Sequence, residues 1–387
     1  TLSLHDASSD LVTRATAVTS IDFPTLGDLA DQWIAQHCRV PDGAALGSAF
    51  QLSDWQFFCV ANHYRVREGI EFIADPMRLL RSQAFVYRRS MIVAPQKTGK
   101  GPLAAAITAL EGAGPCLFAG WAKRGDAYRC SDNGCPCGWE YEYLPGEPMG
   151  MRWSTPKIQL MAASEEQVDN TYGPLKNMVA MGPIGAMMRV HESSIKIDPL
   201  PGAPDGAGLN RITPVTSSGL SRLGQPITFA VQDESGTYTR SNRLEKPAND
   251  QRRGLAGMSG RAIETTNAWD PTLNSVAQQT WESPVEDVFR FYRNPDLEPT
   301  LRRKDGERLS YRLAADRRRI HRYAYEGSPW VDLDAIEAEA AEIMVRDPAQ
   351  AERFFGNRLV YGAGSWLTEG SWEGAYVGAR SMATQSA

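Results

Sequence analysis

No apolar run in the sequence approaches the roughly 18 residues that a membrane-spanning helix requires, which excludes a span of that kind. Charge of one sign is also scarce: 41 Lys and Arg against 46 Asp and Glu leave a formal net charge of -5. That balance excludes a protein that coats nucleic acid by bulk charge, although a small basic channel can coexist with an acidic exterior. Cysteine is sparse and clustered, six in 387 residues with three inside "CSDNGCPCGW", which is not a secreted disulfide framework. A reducing compartment is expected. The five histidines have no catalytic spacing, and the HExxH pattern does not occur. The opening "TLSLHDASSDLVTRATAV" lacks a positive segment followed by an apolar one, so no signal peptide is expected. A start at Thr rather than Met is expected of a processed or trimmed chain. There is neither an internal repeat nor a long low-complexity tract.

What is present reads as a folded chain long enough for two domains, with 42% hydrophobic and 22% charged residues. Leu26, Leu29, Ala30, Trp33 and Ile34 recur at helical spacing, and "LSDWQFFCVANHYRV" repeats the pattern behind a Ser53 or Asp54 cap. Four strand-like runs follow: "AFVYRRSMIVA", "KIQLMAAS" at 157–164, "SSIKI" at 193–197 and "ITFAVQDES" at 227–235. The helical segments "PLAAAITALEG" and "EEQVDNTYGPLKNMVAMG" lie between them, which predicts an α/β sheet with its sites at the strands' carboxyl ends. Beyond about residue 270 the pattern turns helical, ending in "DPAQAERFFGN" with Asp347 as cap, Pro348 first and Gly356 as stop. The expected division is a loose arm at 1–24, a core at 25–270 with a Cys-containing insertion at about 120–152, and a helical lid and linker region at 271–387.

The stretch "MIVAPQKTGKGPLAAAITAL" reads as strand, tight loop and helix, and its middle nearly matches a phosphate-binding loop. Gly99 permits the turn and Lys100 supplies the point charge, while backbone amides over Gln96, Lys97, Thr98, Gly99 and Lys100 would grip the phosphates. Ala94 and Gly101 depart from the pattern. Gly101 lacks the hydroxyl that normally ligates Mg²⁺, so water would fill that place, and Pro102 has no N–H. Gly101→Ser is therefore expected to tighten Mg·ATP binding or leave it unchanged. An ordinary strand–helix turn with an incidental Lys is the competing reading. The apolar strand ending in Asp233 and Glu234 weighs against it, because one carboxylate there can hold Mg²⁺ while its neighbour polarises water.

With these motifs in order, the sequence resembles the large terminase subunit of tailed bacteriophages, the ATP-driven motor of DNA packaging. The resemblance runs from about residue 25 to the end. It includes an aromatic-Gln pair, Trp55 and Gln56, before the loop, and "KIQLMAASEEQV" after it. "TPVTSSGLSRLGQPITFAVQDESG" supplies a Ser-rich segment with an Arg before the acidic strand, and "AIETTNAWDP" matches a Thr-rich coupling motif. The resemblance implies a P-loop NTPase core of the RecA-like, additional-strand catalytic-Glu (ASCE) type with a helical lid. Gln56 would read adenine, Lys100 hold the phosphates, Asp233 hold Mg²⁺ and Glu234 activate water. Thr266 and Asn267 would sense the γ-phosphate. Relatives often carry Arg where this chain has Gln96, so Lys97 in cis, or Arg222 reaching a neighbouring subunit, is implied as the finger. The implied partners are double-stranded DNA, a portal protein, the small terminase subunit and further copies of the chain in a ring, in the cytoplasm of an infected host. The nuclease domain usual in this family is not seen here.

Two rival readings stay open: a DExx helicase or translocase, which would need a second RecA-like domain, and a nucleotide-binding assembly protein with a decayed loop. Cys130, Cys135 and Cys137, spaced C-x₄-C-x-C, would need Cys116 or His191 as a fourth partner for structural Zn²⁺, and reduced thiols in a hairpin are the expectation. The basic runs at 301–304 and 316–322 suit reversible contact with DNA phosphates, but a solvated helix face is the commoner meaning of such runs.

Overall fold

A computed structural model describes residues 21–74, 83–163, 165–204, 209–215 and 225–361, with backbone alone at 165–168. The expected arm before residue 21, Ser164, Arg222 and the tail after 361 lie outside the described residues. In chain order the elements are α1 (Gly27–His37), α2 (Asp54–His63), β1 (Arg89–Val93), α3 (Lys100–Ala113), β2 (Leu117–Trp121), β3 (Ala127–Arg129), β4 (Glu140–Glu142) and β5 (Pro148–Met151). Then come β6 (Lys157–Met161), α4 (Glu165–Met181), β7 (Met188–His191), β8 (Ser194–Ile197), β9 (Arg211–Val215), β10 (Phe229–Asp233), α5 (Glu245–Ala256) and β11 (Arg261–Thr266). The chain continues through α6 (Val276–Glu282), β12 (Val288–Tyr292), α7 (Ala314–Ala324), α8 (Leu333–Arg346) and α9 (Pro348–Phe354).

One eight-stranded sheet organises the molecule, in the order β12-β1-β11-β10-β6-β9-β8-β7. From β12 to β9 every pairing is parallel, and β8 and β7 close the edge antiparallel. Parallel strands demand cover on both faces, and β1, β10 and β11 are accordingly buried at every residue. The Ala-rich helix α3 is buried on all sides from Leu103 to Ala113, as an apolar helix without a polar face must be. Helix α2 starts where the sequence allows: Ser53 caps it and Gln56 reciprocates by accepting the Ser53 N–H at 3.0 Å.

Three features differ from the sequence reading. The core does not stop at residue 270, because β12 adds a parallel strand beside β1. β11, read only as a coupling motif, is the additional strand between the loop strand and the acidic strand. The insertion at 120–152 forms two small antiparallel pairs, β2 with β5 and β3 with β4. Its cysteines meet His37 of α1 rather than Cys116 or His191, because His191 is exposed on β7 and the Cys116 thiol turns to the Glu111 carbonyl oxygen.

The helical part has its own apolar core around Leu309, Tyr311, Ile320, Tyr325, Ile336 and Phe355. It is tied to the sheet at the loop end. Trp55 Nε1–H donates to Ser328 Oγ (3.2 Å), the Gln96 N–H donates to the Phe354 carbonyl (2.8 Å), and Tyr292 donates to the Asn357 carbonyl (3.1 Å). Among the described residues no helix is long and apolar enough to cross a membrane.

Candidate functional site

The parallel register brings the chemistry to one edge. Val93, the last residue of β1, lies opposite Thr266 of β11, and Asp233, the last of β10, lies opposite Thr265. The loop after β1 turns into α3 through Gly99, whose φ of +83° needs no side chain to accommodate. The first closed helical bond runs from the Leu103 N–H to the Gly99 carbonyl, at 3.0 Å. Ahead of it the amides of Lys100 and Gly101 have no intrahelical acceptor and face the cleft end of the helix dipole.

Lys100 is buried and its ammonium donates three bonds: to the Ala94 carbonyl (2.8 Å), the Pro95 carbonyl (2.9 Å) and Asn267 Oδ1 (2.8 Å). The other end of the same amide, Asn267 Nδ2, donates to Glu234 Oε2 at 3.2 Å. One side chain therefore joins the cation of the loop to the carboxylate after the strand. Asp233 accepts from the Thr265 hydroxyl at 2.6 Å and the Thr171 hydroxyl at 3.1 Å. Glu234 sits in the left-handed region at φ +57°, which costs a non-glycine residue roughly 1–3 kcal/mol and is held here by the turn that follows, Thr237 N–H to the Glu234 carbonyl.

Burial dominates the electrostatics. It raises the carboxyls of Asp233 and Glu234 and lowers the Lys100 ammonium, and the opposed charges only partly offset this. The donor set fits a divalent cation and a polyphosphate. Asp233 presents a buried carboxylate next to Glu234, hard cations such as Mg²⁺ take oxygen ligands with several waters, and free helical amides take phosphate.

The remaining residues named from the sequence fall into two groups. Gln56 lies beside the loop, its Nε2 3.6 Å from where a Gly99 Cβ would stand. Trp55 is buried against Phe291, ring centroids 5.7 Å apart. Gln96 is half-buried, Lys97 is exposed at φ +68°, and the Thr98 hydroxyl closes on the Pro95 carbonyl at 2.8 Å. Thr266 faces backbone, accepting from the Gly236 N–H and donating to the Asn267 carbonyl. At Gly101 a Cβ would overlap the Asn170 carbonyl oxygen of α4, so glycine serves helix packing and a serine there carries a steric cost beside any effect on Mg·ATP binding.

Thr171 and Trp330 escaped the sequence reading. Thr171 gave no signal because α4 was read for its apolar period alone. Trp330, 49% exposed, places its ring 3.3 Å from a Gly99 Cβ, although the two lie in opposite halves of the sequence. The basic runs divide too. Arg317 is buried on Glu337 (2.5 Å) and Arg303 pairs with Asp316 (3.0 Å), whereas Lys304, Arg318 and Arg322 are exposed.

No family model and no curated protein matches the chain. Among solved structures, the large terminase of bacteriophage HK97 superposes with a TM-score of 0.53 at 15% identity, over 87% of this chain and 55% of that one. The ATPase domain of the Thermus phage P74-26 large terminase gives 0.36 at 11% identity, over 73% and 90%. The large terminase of the thermophilic bacteriophage D6E, in complex with ADP, gives 0.33 at 11%, over 63% and 49%. The chain spans about half the length of the HK97 protein. With that protein it shares an α/β architecture built on a mostly parallel central sheet, and the fold is that of a bacteriophage large terminase.

Proposed function

We propose that the chain is the ATP-hydrolysing part of a phage large terminase, the motor that drives double-stranded DNA into a procapsid. The observation that carries this reading is the Asn267 bridge, which places Lys100 and Glu234 on the two ends of one amide beside Asp233. The Lys100 ammonium donates to two loop carbonyls and to Asn267. Phosphate arriving at the α3 amides competes for that ammonium and releases Asn267, and through it Glu234. Glu234, freed, orients the attacking water. Asp233 would hold Mg²⁺, whose chemistry is to neutralise charge developing on the phosphate oxygens. Gln56 and the half-exposed Trp330 offer adenine a hydrogen-bonding amide and a flat apolar face.

Because the Gln96 amide and the Phe354 carbonyl are bonded, a change at the loop reaches the helical part directly. That link supports a lid driven by hydrolysis. A ring of copies around DNA, docking on a portal protein, delivery of DNA by the small subunit and action in the host cytoplasm complete the reading. The DExx alternative loses support because no second strand-rich repeat follows β12 among the described residues.

The test is ATP hydrolysis with and without double-stranded DNA. Wild type is expected to turn over and to accelerate with DNA. Glu234→Gln is expected to keep nucleotide binding and lose turnover by about 10²- to 10⁴-fold. Binding without any wild-type turnover would favour the decayed-loop assembly protein. Undiminished turnover in Glu234→Gln would remove the site assignment.

A further inference from the structure

We propose that His37, Cys130, Cys135 and Cys137 form a structural zinc site that clamps the Cys-containing insertion onto helix α1. The four ligand atoms all lie within 4.8 Å of one another. His37 Nε2 stands 3.2 Å from Cys130 Sγ and 3.4 Å from Cys137 Sγ. A tetrahedron with Zn–S of about 2.3 Å and Zn–N of about 2.0–2.1 Å has S···N edges of about 3.6 Å and S···S edges of about 3.8 Å, so the side chains already stand at ligand spacing.

The groups around His37 point the same way. His37 Nδ1 is 2.8 Å from the Trp33 carbonyl, which can only accept, so the proton sits on Nδ1 and the Nε2 lone pair is aimed at the sulfurs. The imidazole is fully buried and held between Trp33, stacked at 4.4 Å, and Trp139, edge-on at 5.7 Å. A buried acceptor nitrogen facing three sulfurs is a poor arrangement for apolar packing and a good one for a soft cation. Three thiolates and one Zn²⁺ carry a net charge of -1, and a compensating charge is in place. The buried Arg152 guanidinium donates to the Asn133 carbonyl at 2.9 Å, inside the turn that links Cys130 to Cys135.

The fold explains why a clamp belongs there. The insertion contributes only short pairs, β2 with β5 and β3 with β4, and the latter hairpin is three residues per strand. Tyr128, Tyr141 and Tyr143 pack the insertion onto the main core, and a metal ion would pin its short hairpin there. Cys130 and His37 are 93 residues apart, so the ion would also close a long loop between α1 and the insertion.

The experiment is metal analysis of the full chain, purified without a polyhistidine tag or chelator and with free thiols blocked at lysis in a parallel sample. One zinc per chain is expected. Chelation under denaturant and refolding with Co²⁺ is expected to give the intense thiolate-to-cobalt charge-transfer band. Cys137→Ser, at the half-exposed edge of the cluster, is expected to weaken that band. It should lower zinc affinity by more than the roughly 10- to 100-fold that loss of an outer-shell partner costs. His37→Ala should keep the charge-transfer band while shifting the ligand-field bands. Zinc well below one per chain together with no cobalt–thiolate band would overturn the site. So would a disulfide among the three cysteines in the blocked sample, or zinc content and cobalt spectra unchanged in both variants.

Discussion

The proposed phosphate site and the Cys/His cluster are both buried constellations of polar side chains, and they differ in the donor atoms they bring together. At the phosphate site every key group has an internal partner. Lys100 bonds two carbonyls and Asn267, Asp233 takes two threonine hydroxyls, and Glu234 takes the Asn267 amide. At the cluster the acceptor nitrogen of His37 faces sulfurs, and its own proton is committed to Trp33. The first set is oxygen and nitrogen groups, suited to a hard cation and a phosphate that exchange. At the second, two thiols stand within hydrogen-bonding reach of one imidazole nitrogen, a donor set that also suits a soft cation. The contrast is between a site built for exchange and one built for retention.

The bridge at Asn267 is where that contrast can be broken with the largest effect. Asn267→Ala removes the amide that holds Lys100 and Glu234 together, leaving both ends buried. Nucleotide affinity is expected to change little, because the loop amides and Lys100 remain. Turnover is expected to fall about 10²-fold, the usual cost of misplacing a reacting group by about an ångström. Equilibrium binding of a fluorescent ATP analogue alongside steady-state hydrolysis separates the two. An equal loss in both would show that Asn267 merely supports the loop.

Gly101→Ser comes next, and packing gives it a stability cost that the expectation on Mg·ATP binding did not include. A hydroxyl at that position was read as a missing Mg²⁺ ligand, but α4 brings the Asn170 carbonyl against the Gly101 Cα. Overpacking of this kind typically costs about 1–3 kcal/mol, so the denaturation midpoint should fall while zinc content stays at the wild-type value. Local sequence carried the elements of the proposed phosphate site because each is contiguous: a strand, a glycine turn, a Lys at a helix start, and two acids at a strand end. Capping at Ser53 and Asp347 was legible for the same reason. Helix against helix at Gly101, and α1 against the insertion at His37, are set by packing between segments distant in sequence. The additional strand β11 hid inside a motif because "RAIETT" has too few residues to show a period. β12 was missed because a five-residue run in a helix-rich neighbourhood resembles a helical turn.

The smallest expected effect separates pH dependence of the reaction from that of the fold. Glu111 lies near the far end of α3 from Lys100, accepts the Tyr64 hydroxyl at 2.8 Å and stands 3.7 Å from Arg261. Burial outweighs these partners and raises its carboxyl to about 6. The folded protein therefore keeps this proton to higher pH than the unfolded chain does. The resulting stability is full below about pH 4.5 and is lost as pH rises to about 6, amounting to about 2 kcal/mol. His63 works against it: burial, then Arg261, lowers its imidazole well below 6.5, so its contribution is lost as pH falls below that value. Between about pH 4.5 and 6.5 these two contributions oppose each other, and the raised carboxyls of Asp233 and Glu234 add to the Glu111 side. The difference between wild type and Glu111→Gln, from urea unfolding at each pH, should show the slope of Glu111 together with its effect on His63, whose Nε2 lies 3.8 Å away. The acid limb of hydrolysis should stay where it is in that variant, because its proton belongs to Glu234, raised by burial and by the Asp233 charge. A shift of that limb in Glu111→Gln would mean that α3 transmits charge along its length, and the phosphate site would then be less self-contained than its bonds suggest.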